Sequence, residues 1–437
     1  MTNINIIKPR KLAGFMELMP NKQIELENMK RKIEKVYSSS GFMPLDTPVL
    51  ELGEILFAKS GGSIDKEVYA FNKGDTQLCM RYDLTVPLAR FIAMNSENLT
   101  FPFKRFQIGK VFRGEKAQKG RFREFIQCDA DIVGQDSLSL VADAECLKLV
   151  DEVFKAFNLD ILNRVSNRNI LFGYCEELGL KDKTQEILVI LDKTDKIGKE
   201  NAIACLLDEG VTTAQAEKLI SIISLKGNFD EIIAKLCPLS TNETFVKGLN
   251  DLKELTSYIK SYGISTDRIV LDLSIIRGQN YYTGTVFEAI IPTHPEFGTV
   301  AGGGRYDNLA QYFTEKRLPG VGFSIGLTRL FDLLDQNGML PTLPETNAKV
   351  EIIPLGNTII DCIELQNYFS KEINCQINYS EKSFKSKMKE ANKKGVPFIL
   401  IVGEDEVKNK IYSLKNMTSG EQFNLSREDC LKKLKEN

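Results

Sequence analysis

Polar and apolar residues alternate most regularly between residues 101 and 134, and this period of two predicts a long β-hairpin. One face of the hairpin carries polar groups from both arms, namely Arg105, Gln107, Arg113, Gln127, Asp129 and Asp131, with Val111 among them. The opposite face is apolar and is expected to contact the core, so the polar face is the expected floor of a pocket. The periodicity fits an ordinary solvated hairpin equally well.

The hairpin is also strongly basic. Residues 101–125 contain eight lysines and arginines against two glutamates, which suits a polyanionic ligand. Arg113 follows directly after an apolar strand, where its planar guanidinium could bind a phosphate or a carboxylate through two hydrogen bonds.

The segments before the hairpin predict a helix and short strands. Residues 21–40 repeat apolar positions at helical spacing. Pro44 and Pro48 bracket a short apolar segment, which is expected to be an edge or interface strand because proline cannot donate to a β-ladder. A further strand is expected through residues 78–80.

After the hairpin the pattern becomes helical and then returns to strands. Residues 141–159 predict an amphipathic helix, and helices rich in Lys, Asp and Glu dominate the following region to about residue 236. Strands return from residue 269. A polar linker with prolines at 336–348 precedes an alternation of strands and helices that predicts a small α/β domain with a mixed sheet. The expected fold class is α+β.

Three further groups are candidates for chemistry. Asp83 and Thr85 share a face if the strand at 78–80 persists, although an Asp-x-Thr usually marks a cap or turn. Arg277 precedes the paired tyrosines 281 and 282, which could be a strand edge with two core aromatics. Arg329 is expected in the first turns of a helix, where a cation is unfavourable unless it binds an anion.

Composition limits the alternatives. The 437 residues are 43% hydrophobic and carry a formal net charge of −2, so two or three domains with real cores are expected and any nucleic acid contact must use local patches. The nine cysteines show no metal-ligand spacing, and with one histidine no dedicated metal site is expected. Without a signal-like segment or a run of roughly 18 apolar residues, we expect a cytoplasmic protein without membrane contact.

The run FRGEKAQKGRFREFIQCDADIVG resembles motif 2 of class II aminoacyl-tRNA synthetases, in the version of the histidyl-tRNA synthetase family. This resemblance implies that Arg113 holds the α-phosphate of ATP and the amino acid carboxylate. It also implies that Gln127 and Asp131 face the amino acid, and that the hairpin tip touches the tRNA acceptor end. Lys116-Ala117 replaces the family's Arg-Pro there, which weakens the expectation of acceptor contacts at that point.

The resemblance covers nearly the whole chain. GFMPLDTPVLELGEILF resembles motif 1, which implies a homodimer, and the strand-to-helix segment VGFSIGLTRLFDLL resembles motif 3, whose arginine grips the γ-phosphate. The Arg277 segment resembles the histidine-specific motif, but Gln279-Asn280 replaces the usual Leu-Asp. The last 90 residues resemble the family's anticodon-binding domain.

The family's functional residues map onto this chain in four groups. The implied catalytic residues are Arg113, Arg277 and Arg329. The implied histidine-binding residues are Asp83, Thr85, Arg113, Gln127, Asp131, Arg277, Tyr281 and Tyr282. The implied ATP-binding residues are Arg113, Glu115, Arg121, Phe125, Gly326 and Arg329, with Gly322 and Ser324 beside the adenosine. The implied acceptor contacts are Gln118, Lys119 and Arg121.

The resemblance thus implies a histidine–tRNA ligase with ATP as a substrate, Mg²⁺ on its phosphates, and tRNA(His) and L-histidine as partners. Its implied parts are a class II core at 1–172 and 241–336 built on an antiparallel sheet, a helical insertion at 173–240, and an anticodon-binding α/β domain at 348–437. The rival interpretation is the non-catalytic, histidine-sensing regulatory subunit of ATP phosphoribosyltransferase, which tends to lose the phosphate-binding arginines and the C-terminal domain. A degenerate tRNA-sensing module of a larger regulator is a third, less favoured interpretation.

Overall fold

The computed structural model describes residues 7–58, 67–116, 120–239, 242–276 and 282–436. The chain divides into two compact units. The first comprises Met1–Met16 and Met29–Asn337, and the second comprises Glu17–Asn28 and Gly338–Asn437.

The first unit contains two sheets. Its strands are β1 Met43–Pro44, β2 Leu50–Leu52, β3 Ala70–Lys73, β4 Thr76–Met80, β5 Phe103–Phe112, β6 Glu124–Val133, β7 Leu162–Asn167, β8 Lys226–Gly227, β9 Ile269–Asp272, β10 Thr285–Ile290, β11 Thr299–Tyr306 and β12 Gly320–Gly326. The large sheet has the order β1-β5-β6-β12-β11-β10-β7-β9-β8, and the small one the order β2-β4-β3. Six neighbouring strands of the large sheet, in the order β5-β6-β12-β11-β10-β7, pair antiparallel. Strand β1 pairs in parallel with β5 on one side, and β9 pairs in parallel with β7 on the other.

Helices surround these strands. Those up to Asn337 are α1 Pro20–Ser39, α2 Gly53–Leu56, α3 Thr85–Asn95, α4 Val141–Ala156, α5 Arg168–Glu177, α6 Thr184–Leu191, α7 Thr194–Ile197, α8 Lys199–Asp208, α9 Thr213–Ile223, α10 Phe229–Leu236, α11 Glu243–Ser261 and α12 Leu327–Gln336. No helix in the described ranges is long and apolar enough to cross a membrane.

Helix α9 shows how the local sequence fixes these elements. Its N-cap, Thr212, accepts a hydrogen bond from the backbone N–H of Gln215, and the Gln215 side chain accepts one from the backbone N–H of Thr212. This capping box satisfies two backbone donors that have no partner within the helix. The apolar residues behind it, including Leu219 and Ile223, are buried.

The hairpin predicted at 101–134 is strands β5 and β6, and its alternation is confirmed. Phe106 and Cys128 lie on the core side, where Tyr37 of α1 packs against Phe106 with ring centroids 5.7 Å apart and donates a hydrogen bond to the Cys128 carbonyl at 3.2 Å. The other face carries Arg105, Gln107, Asp129 and Asp131 in opposed pairs, Arg105 with Asp131 and Gln107 with Asp129. These four polar side chains are buried, so the solvated hairpin is excluded.

Of the strands predicted before the hairpin, the one between Pro44 and Pro48 was wrong, and the one at 78–80 was confirmed. No strand lies between Pro44 and Pro48, because the edge strand β1 is Met43–Pro44 and the next strand begins at Leu50. Pro44 pairs with Phe106, and the backbone N–H of Leu45 donates to the Phe106 carbonyl at 2.9 Å, so the missing N–H of Pro44 is tolerated at this edge. The strand at 78–80 exists as part of β4, but it stops at Met80 and does not reach Asp83.

The second unit is an α/β domain built on one mixed sheet. Its strands are β13 Val350–Pro354, β14 Cys375–Ile377, β15 Phe398–Val402, β16 Tyr412–Asn416 and β17 Gln422–Leu425, and its helices are α13 Ile359–Phe369, α14 Phe384–Lys394, α15 Glu404–Asn409 and α16 Arg427–Glu436. The order is β14-β13-β15-β16-β17, with parallel pairing among the first three strands and antiparallel pairing among the last three. The predicted mixed sheet is confirmed, whereas α15 and β17 were not predicted.

Candidate active site

A cavity of about 440 Å³ opens on the polar face of the large sheet in the first unit. Strands β6, β11 and β12 form its floor, and the segment before α3, the hairpin and the start of α12 form its walls. The predicted site residues that line it are Asp83, Thr85, Arg113, Glu115, Arg121, Phe125, Gln127, Asp131, Tyr282, Gly326 and Arg329. Gly322 and Ser324 also line it. Arg277, Tyr281, Gln118 and Lys119 lie outside the described residues, as do Gln279 and Asn280.

One end of the cavity is built on a buried ion pair. The Arg105 guanidinium lies 2.8 Å from Asp131 Oδ2 and is fully buried. Asp131 Oδ1 accepts a hydrogen bond from the Tyr306 hydroxyl at 2.6 Å. Burial raises the pKa of the Asp131 carboxyl, and the charge of Arg105 opposes that rise. The pair fixes Asp131 in the cavity floor.

Asp129 lies next to this pair on β6. Burial, with the nearby Asp131 and Asp83 carboxylates, raises its pKa to about 7, although Arg105 acts in the opposite direction. Two buried acceptors, Asp129 Oδ1 and Gln127 Oε1, find no hydrogen-bond donor within the described part of the chain. Because a buried polar atom without a partner is costly, a ligand with N–H donors suits this end of the cavity.

Asp83 and Thr85 reach the cavity by a route that the strand hypothesis did not foresee. Asp83 Oδ1 accepts hydrogen bonds from the backbone N–H groups of Thr85 at 3.0 Å and Val86 at 2.9 Å, which makes it the capping group of helix α3. Burial raises the pKa of Asp83, and these N–H donors and Arg113 oppose the rise. The turn interpretation was therefore right about the backbone, and the side chain still lines the cavity.

Arg113 follows directly after the last residue of β5. Its guanidinium lies over two rings, 4.4 Å from the centroid of Tyr82 and 5.1 Å from that of Phe125, and its Nε donates to the Tyr82 carbonyl at 3.3 Å. No carboxylate of the described residues pairs with it. The stacked rings orient a planar cation toward the cavity, as binding a phosphate or carboxylate requires.

Arg329 is the third residue of α12, so the prediction that it lies in the first turn of a helix is confirmed. It donates to the Phe297 carbonyl at 2.7 Å. Its pKa is lowered by burial and by the charge of Arg121, which also pairs with Glu115 at 3.3 Å. Two cations close enough to repel each other favour an anionic ligand between them.

Several residues of the site were given no role from the sequence. The alternation placed Asp129 on the polar face with Gln127 and Asp131, and it lines the cavity, but no function was assigned to it. Arg105 was placed on the same face, and its contribution is the ion pair with Asp131. Tyr306 and Tyr82 had no comparable signal, because each depends on a distant partner: Tyr82 donates to Glu67 at 2.8 Å, and burial and Glu67 raise its pKa to about 12 against the effect of Arg113.

The glycines of the floor allow unusually close packing. A Cβ at Gly322 would lie 2.0 Å from Asp131 Oδ1, and one at Gly304 would lie 2.8 Å from the Tyr282 ring. Gly303 thus allows β11 to lie close to β12, and Gly304 allows the Tyr282 ring to lie against β11. Gly302 lines the cavity.

The described residues contain no group of three or more His, Cys, Asp or Glu that could hold a metal ion. The antiparallel sheet, with two arginines on a shared polar cavity, is the arrangement expected of a class II aminoacyl-tRNA synthetase.

Comparison with known proteins defines the family. The model of the histidyl-tRNA synthetase family matches residues 14–330, and that of the anticodon binding domain matches residues 349–437. The chain is 42% identical to a histidine–tRNA ligase of Clostridium tetani, with 99% of both chains covered, and 41% identical to one of Clostridium acetobutylicum, with 97% of this chain and 99% of the relative covered. It therefore belongs to the histidyl-tRNA synthetase family.

Comparison with solved structures supports the same family. The crystal structure of histidyl-tRNA synthetase from Nostoc sp. PCC 7120 has a TM-score of 0.89 and 34% identity, and the match covers 99% of this chain and 100% of that chain. An ATP phosphoribosyltransferase regulatory subunit/histidyl-tRNA synthetase from Bacillus halodurans C has a TM-score of 0.74 at 20% identity, with 88% of this chain and 97% of that chain covered, which shows a shared fold only.

Proposed function

We propose that this chain is a histidine–tRNA ligase and that its first unit forms histidyl-adenylate in the cavity described above. The observation that carries the proposal is that Arg113 and Arg329 line the same cavity as a set of buried carboxylates and unsatisfied acceptors. The arginines suit the phosphates of ATP, and the acceptors suit the N–H groups of histidine.

Arg113 is the proposed centre of the activation step. A carboxylate oxygen of histidine attacks the α-phosphorus of ATP, and the bond from that phosphorus to the leaving pyrophosphate breaks. Negative charge develops on the oxygens around the α-phosphorus, where the guanidinium of Arg113, already oriented by Tyr82 and Phe125, would stabilise it. Arg329 would hold the γ-phosphate, and Gly322, Ser324 and Gly326 would leave room for the adenosine.

The opposite end of the cavity would select the amino acid. Asp83, Gln127 and Asp131 would accept hydrogen bonds from the α-amino group and the imidazole, and Tyr306 would keep Asp131 in place through its 2.6 Å hydrogen bond. A site built to pair with every polar group of the substrate rejects analogues that lack one, because its own buried groups then remain unpaired.

The remaining predicted roles complete the proposal. Arg277 and Tyr281 would join Tyr282 around histidine and the α-phosphate. The second step would pass the histidyl group to the terminal ribose of tRNA, with release of AMP, and the acceptor end would meet Gln118, Lys119 and Arg121.

Mg²⁺ fits the ligand chemistry of the site. Glu67 and Glu115 line the cavity, and each uses its Oε2 in the hydrogen bond described above, to Tyr82 and to Arg121 respectively. Their carboxylate oxygens are ligands that Mg²⁺ prefers, and the ion would bind mainly through the β- and γ-phosphates. When bound it would neutralise charge on the phosphates.

The proposal extends to the assembly of the protein and to its domains. We propose a cytoplasmic homodimer in which β1 and the neighbouring residues, among them the exposed Met43 and Leu50, form the subunit interface. The proposed parts of the chain are the core at 1–172 and 241–336, the helical insertion at 173–240 and the anticodon-binding domain at 348–437.

The test is histidine-dependent exchange of pyrophosphate into ATP by the purified chain. Exchange that requires histidine and is not supported by other amino acids would establish adenylate formation. A folded chain that binds histidine without any exchange would instead favour the regulatory subunit of ATP phosphoribosyltransferase. The retained Arg113 and Arg329 favour the ligase.

A further inference from the structure

The second unit exposes one aromatic ring to an unusual degree. Tyr379 is 82% exposed, more than any other aromatic side chain in the described ranges. It lies two residues beyond the carboxyl end of β14, the edge strand of the mixed sheet. In open α/β sheets, ligands bind beyond the carboxyl ends of the parallel strands.

The backbone beneath this ring is anchored from both sides. Asn378 is buried; its Nδ2 donates to Glu351 Oε1 at 2.6 Å, and its backbone N–H donates to the Ile352 carbonyl at 2.9 Å. Its Oδ1 accepts hydrogen bonds from the backbone N–H of Ser380 at 3.2 Å and from the Ser380 hydroxyl at 2.7 Å. The backbone on both sides of Tyr379 is therefore fixed, and the ring projects from it into solvent.

Glu351 makes that support firm. It is fully buried on β13 and also accepts a hydrogen bond from the Gln376 side chain. The Lys394 ammonium forms an ion pair with it at 3.3 Å. A buried carboxylate without enough hydrogen-bond donors is costly. Movement of Asn378 would remove one of the donors to Glu351 and would therefore be unfavourable. The cost of such a movement keeps the backbone next to Tyr379 in place.

The surroundings are suited to a polyanion. Residues 381–395 contain six lysines against two glutamates. Lys382 pairs with Glu390, Lys394 pairs with Glu351 and Lys387 is buried, whereas Lys385, Lys389 and Lys393 are exposed. The exposed Phe384 begins the lysine-rich helix α14. The acidic residues Glu404–Glu406 follow β15. Strand β13 lies between β15 and β14, so this acidic turn does not follow a strand adjacent to the one that carries Tyr379. Exposed rings beside cations are the means by which proteins bind unpaired nucleotides, since each base offers a flat face for stacking.

We propose that Tyr379 is a stacking platform for an unpaired base in the anticodon loop of the tRNA substrate. The proposal rests on the proposed function and on the match of this region to the anticodon binding domain model. It assigns Tyr379 to affinity for the RNA and not to the chemistry in the first unit.

The experiment compares Tyr379→Ala and Tyr379→Phe with the parent chain. Tyr312→Ala, which removes another exposed tyrosine, is the control. For each chain we would measure the KM of aminoacylation for full-length tRNA(His), the charging of a minihelix that carries only the acceptor arm, and histidine-dependent pyrophosphate exchange. Because Tyr379 is exposed, thermal unfolding should be unchanged in both variants.

Stacking predicts one pattern. Tyr379→Ala should raise the KM for full-length tRNA at least about tenfold, whereas Tyr379→Phe, which keeps the ring, should change it less than about threefold. Minihelix charging and exchange should stay at parental levels, and Tyr312→Ala should behave as the parent.

Other patterns would overturn the proposal. A KM for Tyr379→Ala within twofold of the parent would remove Tyr379 from the RNA interface. An equal loss in Tyr379→Phe would show that the hydroxyl, and not the ring, makes the contact, and an equal loss on the minihelix would place the contact outside the anticodon loop. Absence of exchange in the parent chain would be a failure of the proposed function and is recognised separately.

Discussion

Replacement of Asp129 by asparagine tests the electrostatics of the cavity floor. The folded chain raises the pKa of this buried carboxyl from the ordinary 3.8 to about 7, so the folded state retains a proton that the unfolded chain has already lost at neutral pH. A group of this kind stabilises the fold most at low pH, and its contribution is lost as the pH rises toward 7. The amide that Asp129→Asn introduces cannot titrate, so the variant lacks this loss.

The size of the effect follows from the two pKa values. Proton linkage with values of 3.8 and about 7 gives a loss of about 2–3 kcal/mol in the free energy of unfolding of the parent between pH 5 and pH 8. The difference in unfolding free energy, Asp129→Asn minus parent, should therefore rise by about 2–3 kcal/mol over this interval.

Urea unfolding at pH 5 and pH 8 would measure this difference. Circular dichroism is the appropriate signal because the chain has no tryptophan, and the transition of the first unit must have the same dependence on urea in both chains. Asp208→Asn, at the exposed end of α8, is the control and should show no such rise. A difference for Asp129→Asn that stays within about 0.5 kcal/mol at the two pH values would refute the account of the buried carboxyl.

Three further variants test the site. Arg113→Ala should lower the rate of pyrophosphate exchange at least about 10²-fold while the melting temperature falls by only a few degrees, because the side chain is half-buried; exchange at the parental rate would remove it from the site. Tyr306→Phe leaves Asp131 without its 2.6 Å donor and should raise the KM for histidine about tenfold with little change in that for ATP; equal increases in both would contradict a role confined to histidine. Gly322→Ala would place a Cβ 2.0 Å from Asp131 Oδ1, so it should weaken histidine binding and lower the melting temperature, and a chain with parental values for both would contradict the packing of the floor.

The sequence predicted those parts of the molecule in which a local period carries the information. The hairpin β5–β6 alternates over ten residues in each strand, and the placement of Gln127, Asp129 and Asp131 on one face follows from that period alone. Arg329 could be placed in a helix N-terminus because the pattern changes from strand to helix just before it. The motif resemblance then supplied the roles, which no period encodes.

What the sequence could not predict depends on distant contacts or short elements. For Asp83 the pattern left a continued strand and a cap or turn both open, because the start of α3 shows no clear period, and only the hydrogen bonds of its side chain to the backbone of Thr85 and Val86 decide between them. Tyr306 enters the site only because β11 and β6 flank β12 and bring it to Asp131. The six-residue helix α15 and the four-residue strand β17 are too short to show a clear period.

The pairing of Arg105 with Asp131 across the hairpin constrains which length changes the family can tolerate. Insertion of a single residue into β6 would turn Asp129 and Asp131 toward the aromatic packing around Tyr37 and would bring Cys128 and Ala130 to the substrate side, and an insertion into β5 would turn Arg105 away from Asp131 in the same way. Insertion of two residues would leave each side chain on its original face of the sheet and would change only which residues of β5 and β6 lie opposite each other. Natural length variation in this hairpin is therefore expected at its tip, and surviving changes within the arms are expected in even numbers.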